Sequence, residues 1–292
     1  MAKMTPEARS ETLIEALPYI QQYRGHTFVI KYGGSAMEDE HVVDKFLRDV
    51  VFLEAVGINP VLVHGGGKAI TAKMKAAGLV AHFIDGLRAT NEATIHLVEE
   101  ALDRDINPSI VEKIRDFGGC AQGFSGKDIF MARKLDRQAV IDGQTIDIGF
   151  VGEAEGVNAA AIAEAVQSEI VPVISPIGST REGVVLNINA DIAAASLAAE
   201  LKASKLIYIT DVAGIMCDSS QSDSLISSVT ITQIEELIAR KVIAGGMIPK
   251  VRSATEALRR GVRKIHMIGG HIQHCLLLEI FTDAGIGTEI IH

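Results

Sequence analysis

A chain of 292 residues is long enough to bury a sizeable core in one large domain or two lobes. Its formal net charge of −9 argues against nucleic acid or an anionic membrane as a partner. Hydrophobic residues make up 48% and aromatic residues 4%, a composition typical of parallel sheets covered by helices. Three cysteines without a C-x-x-C pair indicate a reduced chain, and no apolar run has the length of a membrane span. We therefore expect a cytoplasmic protein.

The first predicted element is an amphipathic helix. Thr5 suits its N-cap and Pro6 its first turn, whereas Pro18 is expected to kink it. Apolar residues recur at helical spacing at Leu13, Ile14, Leu17 and Ile20. Because residues 1–25 precede the first predicted core strand, we interpret them as an appended segment. Packing on its own domain and contact between subunits are both open interpretations of this helix.

The next stretch holds the central sequence feature. Residues 27–30 read as a buried strand that runs into Lys31 and then into the pair Gly33-Gly34. Glycines between a strand and a helix let backbone N–H groups approach an anion, and the helix start adds partial positive charge. The stretch is a candidate phosphate cradle. By itself, a plain turn followed by a surface lysine explains it equally well.

The same arrangement occurs again further along the chain. A second apolar strand ends at His64 and opens onto Gly65-Gly66-Gly67-Lys68, and Gly245-Gly246 precedes Lys250. A dinucleotide fingerprint requires glycine where Ile70 stands, and a P-loop requires Ser or Thr where Ala69 stands. Both of these phosphate-binding motifs are excluded.

Strand and helix patterns alternate through most of the chain, which predicts βαβ units and a mainly parallel sheet. Helices are predicted at residues 38–56, 68–77, from 90 or 91 onward, and at 108–117, 158–167 and 192–202. Strands are predicted at 170–175, 184–186 and 205–210, and short strands with polar turns, one at Asp142-Gly143, at 120–150. Residues 217–228 read as a mobile loop, and His271-x-x-His274 lacks the acid and the spacing of a zinc helix.

Two polar clusters lie where predicted strands give way to helices. Asn187, Asn189 and Asp191 exceed what a helix cap requires. An extended segment at 83–90 delivers Arg88 just before a helix, so this arginine can sit at a cleft as well as on an open surface.

As an ordered group, Lys31-Tyr-Gly-Gly34, His64-Gly-Gly-Gly67, Gly86-Leu-Arg88, Asn187-Ile-Asn-Ala-Asp191 and Gly245-Gly-Met-Ile-Pro-Lys250 resemble the amino acid kinase family. The resemblance runs from about Thr5 to the end. It implies an α/β fold, a three-layer αβα sandwich with a mainly parallel eight-stranded sheet. It also implies an acceptor-binding lobe at about 26–185 and a nucleotide-binding lobe at about 186–292. The implied activity is ATP-dependent phosphorylation of the side-chain carboxylate of N-acetyl-L-glutamate in arginine biosynthesis.

The resemblance also implies roles for individual residues. Lys31 and Lys250 would flank the phosphoryl group while Asp191 holds their ammonium groups. Acceptor binding is implied for Gly66, Gly67, Arg88 and Asn187, and nucleotide binding for Gly33, Gly34, Asp211, Gly214, Gly246 and Met247. Mg²⁺ would arrive with ATP, and no separate protein metal site is expected. A carboxylate acceptor, with a reference pKa of about 4.3, is already ionised and needs no general base, which agrees with these residue types.

The two chain ends suggest regulation. The N-terminal helix resembles the extension that interlaces dimers in arginine-sensitive family members, and residues 276–288 resemble their arginine site. There Glu279 would pair with the guanidinium group, and Gly285 would allow close backbone approach. The resemblance implies a hexamer, a trimer of dimers, inhibited by arginine. Alternatively, the same segment forms a C-terminal helix and strand that complete the sheet.

Other functions remain open at this stage. N-acetyl-aminoadipate is longer than N-acetylglutamate by one methylene, which is worth only about 1–3 kcal/mol of discrimination. A non-catalytic module that binds nucleotide or amino acid is a second alternative, although the presence of Lys31, Lys250 and Asp191 argues against it.

Overall fold

Strands and helices alternate along the chain, as the sequence pattern predicts. The computed structural model describes residues 5–141, 144–218, 221 and 224–292. Its strands are β1 (Thr27–Tyr32), β2 (Asn59–His64), β3 (Phe83–Ile84), β4 (Leu87–Arg88), β5 (Ala121–Phe124), β6 (Phe130–Lys134), β7 (Gln138–Ile141), β8 (Gln144–Asp147), β9 (Val151–Val157), β10 (Val171–Ile174), β11 (Ile177–Ser179), β12 (Val185–Ile188), β13 (Lys205–Thr210), β14 (Ser228–Thr230), β15 (Lys264–Gly269) and β16 (Thr288–Ile291). Its α-helices are α1 (Pro6–Tyr23), α2 (Glu40–Ala55), α3 (Gly67–Ala76), α4 (Glu92–Glu99), α5 (Asn107–Asp116), α6 (Gly126–Ile129), α7 (Ala160–Gln167), α8 (Ala190–Glu200), α9 (Ile231–Ala239), α10 (Met247–Arg259) and α11 (Cys275–Ile280).

Eight strands form the central sheet, in the order β14-β16-β15-β13-β1-β2-β10-β5. Neighbouring strands are parallel except for β15 and β16, which are antiparallel. Five residues of the six-residue strand β1 are buried, since neighbours flank it on both edges and helices cover both faces. The predicted mainly parallel eight-stranded sheet is confirmed.

Helices cover the two faces of this sheet. Val29 of β1 packs in a cluster with apolar residues of α7, α8 and α10. Its neighbours Phe28 and Ile30 pack in a second cluster with residues of α2, α5 and α11. This alternation follows from the two-residue period of a strand and yields the predicted αβα layers. None of the helices in the described ranges is long and apolar enough to cross a membrane.

One long helical run differs from the prediction. A π-helical turn, Glu100–Ile106, connects α4 directly to α5, so the helix predicted to start at Pro108 is in fact the continuation of an earlier one. Pro108 has no N–H to donate, so a regular α-helical ladder would be interrupted here in any case. The wider turn absorbs that interruption without ending the helix.

The region predicted as short strands with turns is more elaborate than expected. Strands β6, β9, β11 and β12 close into a small barrel, β7 and β8 form a hairpin, and the short helix α6 lies among them. The predicted turn at Asp142-Gly143 lies outside the described residues, as do 219–220 and 222–223 of the predicted loop. Helix α1 continues through Pro18, and the kink there stays a prediction.

Candidate active site

Two glycine loops leave the sheet side by side. Because β1 and β2 are parallel neighbours in register, with Tyr32 opposite His64, the loops that follow them begin at the same edge. A Cβ built on Gly65 would lie 3.4 Å from the Cα atom of Gly33. One built on Gly34 would lie 2.5 Å from Asp211 Oδ1, and Gly34 has a φ of +74°. Glycine at these positions therefore allows the two loops and the end of β13 to pack closely.

Two lysines converge on one buried carboxylate beside these loops. Lys31 is at the end of β1 and Lys250 is in the first turn of α10. The Nζ atom of Lys31 lies 3.1 Å from Asp191 Oδ1, and the Nζ atom of Lys250 lies 2.6 Å from Oδ2. Burial alone would raise the pKa of Asp191, but the charges of Lys31 and Lys250 outweigh it, so this pKa lies below its ordinary value. The carboxylate stays ionised and holds both ammonium groups.

The start of α8 positions Asp191. Asn189 is the N-cap residue, and its Oδ1 atom accepts a hydrogen bond of 2.8 Å from the backbone N–H of Asp191. An acidic side chain in the first turn of a helix also interacts favourably with the helix dipole. One of the predicted polar residues is thus a cap, as expected, and it places another residue of the site.

Arg88 is a buried cation at the opposite side of the site. Its side chain lies over the Phe83 ring at 4.8 Å, and its NH2 group donates to the Gly67 carbonyl at 2.6 Å and to Thr71 Oγ1 at 2.8 Å. Burial lowers its pKa from the ordinary value. Among the described residues, the ion pairs of the chain include none with Arg88. Such a guanidinium group is suited to an incoming carboxylate.

A cavity of about 660 Å³ extends from Lys31 and Asp191 to Arg88, and Lys250 contacts its wall through the ion pair with Asp191. The predicted residues that line it are Lys31, Gly34, Gly66, Gly67, Arg88, Asn187, Asp191 and Asp211. Asn187 is held at its wall by a hydrogen bond of 3.3 Å from Nδ2 to Thr90 Oγ1. Gly33 lies beside the cavity, since a Cβ there would be 3.2 Å from Lys31 Nζ. Residues that the sequence analysis predicted for one site, and that are distant along the chain, therefore line a single cavity.

Three predicted nucleotide residues lie outside this cavity. Gly246 and Met247 lie at the start of α10, four and three residues before Lys250, and nothing would lie within 4 Å of a Cβ on Gly246. A Cβ on Gly214 would lie 2.5 Å from Thr288 Oγ1, so packing against β16 is sufficient reason for glycine there. The nucleotide-binding roles of these three residues stay predictions.

The π-helical turn is a part of the site that the sequence analysis missed. Leu102 and Ile106 line the cavity, and a Cβ on Gly66 would lie 2.6 Å from Leu102 Cδ2 and 2.8 Å from Ile106 Cδ1. The turn thus packs directly against the second glycine loop. The one available signal was Pro108, which we interpreted as the start of a helix.

The predicted effector residues form a separate network near the C-terminus. Glu279 on α11 is buried, with Oε1 at 2.5 Å from His266 Nδ1, while Oε2 accepts the backbone N–H groups of Ile286 and Gly287. Burial raises the pKa of Glu279, but these hydrogen bonds outweigh it and the pKa is lowered. Gly285 has a φ of +61°, and the strand that completes the sheet, β16, follows it. Both predicted roles of this segment are thus compatible with its position.

No group of three or more His, Cys, Asp or Glu side chains within the described ranges could hold a metal ion. His274, one of the two histidines considered above, instead has Nδ1 at 2.5 Å from Asp49 Oδ1.

Comparisons with known proteins agree with this geometry. The amino acid kinase family matches residues 26–269. The acetylglutamate kinase of Akkermansia muciniphila is 50% identical over 286 residues, which cover 97% of this chain and 95% of that protein. That of Aquifex aeolicus is 47% identical, with 97% of each chain covered.

Two solved structures extend the comparison. An N-acetylglutamate synthase from Neisseria gonorrhoeae, complexed with coenzyme A and N-acetyl-glutamate, superposes with a TM-score of 0.82 at 26% identity. The match covers 97% of this chain and 63% of the synthase. Carbamate kinase from Giardia lamblia bound to AMP-PNP has a TM-score of 0.68 at 17% identity, with 91% and 98% covered, and shows the fold alone.

Proposed function

The chain belongs to the amino acid kinase family, and on that premise we propose that it transfers the γ-phosphoryl group of ATP to the side-chain carboxylate of N-acetyl-L-glutamate. The product is N-acetyl-L-glutamyl 5-phosphate, in a cytoplasmic pathway of arginine biosynthesis. One observation carries the proposal: Lys31 and Lys250 converge on buried Asp191, and Lys31 and Asp191 line a cavity that also holds Arg88. The acetylglutamate kinases that are about half identical over nearly the whole chain support the acceptor.

The residues present suit transfer between two anions. The acceptor carboxylate needs no base, so catalysis rests on position and on neutralisation of charge as the phosphoryl group moves. Lys31 and Lys250 supply that neutralisation, and Asp191 keeps their ammonium groups in place. The start of α3 at Gly67, with Gly66 as its N-cap, adds backbone N–H groups and the positive end of a helix dipole.

The acceptor would lie between Arg88 and the lysine pair. Arg88 binds the α-carboxylate, and Asn187 lies near the amide. Because Arg88 already donates to Gly67 and Thr71, its position relative to the second glycine loop is defined before the substrate arrives. ATP would bring Mg²⁺ with its phosphates, with Gly33, Gly34, Asp211 and the open start of α10 as its protein contacts.

Trapping the acyl phosphate as a hydroxamate tests the assignment. We expect N-acetyl-L-glutamate to be the best acceptor when it is compared with glutamate, aspartate and N-acetyl-aminoadipate. Faster turnover of N-acetyl-aminoadipate than of N-acetyl-L-glutamate would indicate that the longer compound is the acceptor. No turnover of any acceptor would indicate a non-catalytic binding module. Either result would overturn the proposal.

We further propose that the enzyme is a hexamer, a trimer of dimers, inhibited by arginine. Helix α1 supports this because Leu13, Ile14 and Leu17 are 70%, 67% and 43% exposed, an apolar stripe available to a second α1 helix. The same helix packs on the C-terminal segment, where Tyr19 donates to Asp283 at 2.5 Å. The Neisseria gonorrhoeae synthase, 28% identical with a TM-score of 0.79, has been solved with L-arginine. In this chain arginine would have to share Glu279 with His266.

A further inference from the structure

A buried tyrosine lies at the centre of the lysine–aspartate cluster. Tyr208 of β13 is paired in register with Lys31 of β1 and is fully buried. Its hydroxyl group donates to the backbone carbonyl of Asp191 at 3.3 Å and lies 3.0 Å from Ser253 Oγ. Tyr208 therefore contacts the main chain of the residue that holds both lysines.

Ser253 extends the contact to the second lysine. Its hydroxyl group has one proton and lies 2.8 Å from the backbone carbonyl of Lys250 and 3.0 Å from Tyr208 Oη, so it donates to one or the other. When Ser253 donates to Tyr208 and Tyr208 donates to Asp191, the two hydroxyl groups connect α10, about one turn after Lys250, to the start of α8 at Asp191. We name this pair the hydroxyl clasp. Burial raises the pKa of Tyr208, so its hydroxyl group keeps its proton at neutral pH.

We propose that Tyr208 and Ser253 are positioning residues that set the place of Lys250 relative to Asp191 and so the rate of phosphoryl transfer. The inference rests on the proposed function. The ion pair between Lys250 and Asp191 spans two helices that are far apart along the chain, and the side chain of Lys250 is 24% exposed. A lysine has a flexible stem, so its ammonium group is defined only as well as its backbone. Tyr208 is fully buried, so the clasp holds that backbone from the protein interior.

The test removes one hydroxyl group at a time. Tyr208→Phe keeps the buried ring, and Ser253→Ala removes the other half of the clasp. We expect each variant to lower kcat about tenfold, the factor that corresponds to one neutral hydrogen bond, with the KM for N-acetylglutamate unchanged. The double variant should lose little more than either single variant, because both act through one contact.

Thr255→Val is the matched control. Thr255 is buried on the same helix, and its hydroxyl group donates to the Val251 carbonyl at 2.8 Å, but it does not contact the lysine–aspartate cluster. The kcat of this variant should stay within about twofold of the wild-type value, although its thermal stability should fall by about as much as that of the two clasp variants. If Tyr208→Phe and Ser253→Ala behave like Thr255→Val, or raise KM while kcat is kept, the clasp does not position Lys250.

A second readout does not depend on activity. Acetic anhydride labelling, followed by mass spectrometry of the peptide that contains Lys250, reports how firmly this ammonium group is held against Asp191. Labelling should be at least several-fold faster in Tyr208→Phe than in wild type or in Thr255→Val. Equal labelling in all three proteins would overturn the inference. Failure of the wild type to phosphorylate N-acetylglutamate would overturn the proposed function alone, and the labelling result would still decide the clasp.

Discussion

At the active site, one buried carboxylate holds two ammonium groups, and each of these is delivered by a different element. Lys31 comes from the end of the central strand β1, and Lys250 comes from the start of α10. The positive charge of a lysine interacts unfavourably with the dipole at a helix start, and the ion pair of Lys250 with Asp191 offsets this.

Replacing either lysine tests this role. Lys31→Ala and Lys250→Ala should each lower kcat by roughly 10²–10³, the scale for loss of one preorganised electrostatic contact. Lys→Arg should not restore full activity, because a planar guanidinium group differs from a compact charge. Steady-state kinetics measure both effects. A raised KM with kcat near wild type would contradict a role in the transition state.

We propose that Arg88 contacts the acceptor. Arg88→Lys should raise the KM for N-acetylglutamate about tenfold or more and leave the KM for ATP nearly unchanged, because lysine cannot form a bidentate contact and would lose the donor to Thr71. The reverse pattern, with ATP affected and the acceptor not, would show that the residue contacts the nucleotide.

His64 gives the chain a pH-dependent stability. This residue is fully buried, and burial lowers its pKa to about 4 from 6.5. Above pH 6.5 the imidazole is neutral in both the folded and the unfolded state, so it contributes no pH dependence. Between pH 6.5 and 4 only the unfolded state binds the proton, so the free energy of unfolding falls as the pH falls, by about 3 kcal/mol.

Urea unfolding of wild type and His64→Asn between pH 7 and 4 measures this contribution. The stability difference between the two proteins should shrink by about that amount on acidification, since the variant lacks the group. The exposed His96 provides a control, because His96→Asn should leave the difference constant. A constant difference for His64→Asn as well would show that the buried imidazole is not the source.

Among the elements, the π-helical turn combines packing with hydrogen bonding. Besides Leu102 and Ile106 against Gly66, it is followed by Asn107, whose Nδ2 group donates to Val173 O at 2.9 Å and lies 3.3 Å from His64 Nε2. His64 Nδ1 in turn lies 3.0 Å from the Gly65 carbonyl. If the imidazole is protonated on Nδ1, all three contacts are satisfied at once. These contacts connect the π-helical turn to Gly65 and so support the start of the second glycine loop.

Asn107→Leu, which keeps the volume and removes the hydrogen bonds, should lower kcat/KM for N-acetylglutamate about 10–100-fold, because in the proposed function the second glycine loop carries the acceptor's backbone contacts. Val111→Ala is the control. Val111 is buried on the same helix, so this variant should be less stable than wild type but nearly as active. Activity is measured by the hydroxamate assay. Equal activities of the two variants would mean that Asn107 serves stability alone.

The elements also show how far the sequence alone could lead. Apolar strands that end in glycine and lysine predicted β1 and β2 correctly, because strand and turn signals are local. The π-helical turn and the small barrel of β6, β9, β11 and β12 were missed, since both are decided by tertiary packing. Tyr208 looked like an ordinary core residue, and no local pattern distinguishes a core hydroxyl group that touches two helix starts.

At the scale of the whole molecule, the two ends of the chain are in contact. Tyr19 near the end of α1 packs edge-on against Phe281, and Lys205 Nζ lies 5.0 Å from the Tyr23 ring and 2.8 Å from His266 Nε2. His266 also contacts Glu279. The N-terminal helix is thereby connected to the proposed arginine site through direct contacts.

Deletion of residues 1–25 should convert hexamers into dimers and weaken inhibition by arginine, with catalysis largely intact. Leu13→Glu combined with Ile14→Glu should have the same effect on assembly without removing the helix. Light scattering and inhibition curves measure both. A wild-type protein that is only dimeric, or whose activity is unchanged at millimolar arginine, would contradict the proposed regulation.

The position of β1 at the middle of the sheet has a consequence for synthesis of the chain. Phe28 pairs with Pro60 on one side but with Lys205 on the other, so one edge of β1 has no partner until about 180 further residues have been made. At bacterial or eukaryotic elongation rates that interval is on the order of 10–35 s. During it, an apolar strand edge faces the crowded surroundings of the ribosome. Slow translation of the residues between β2 and β13 should therefore lengthen the time in which this edge can pair with another chain.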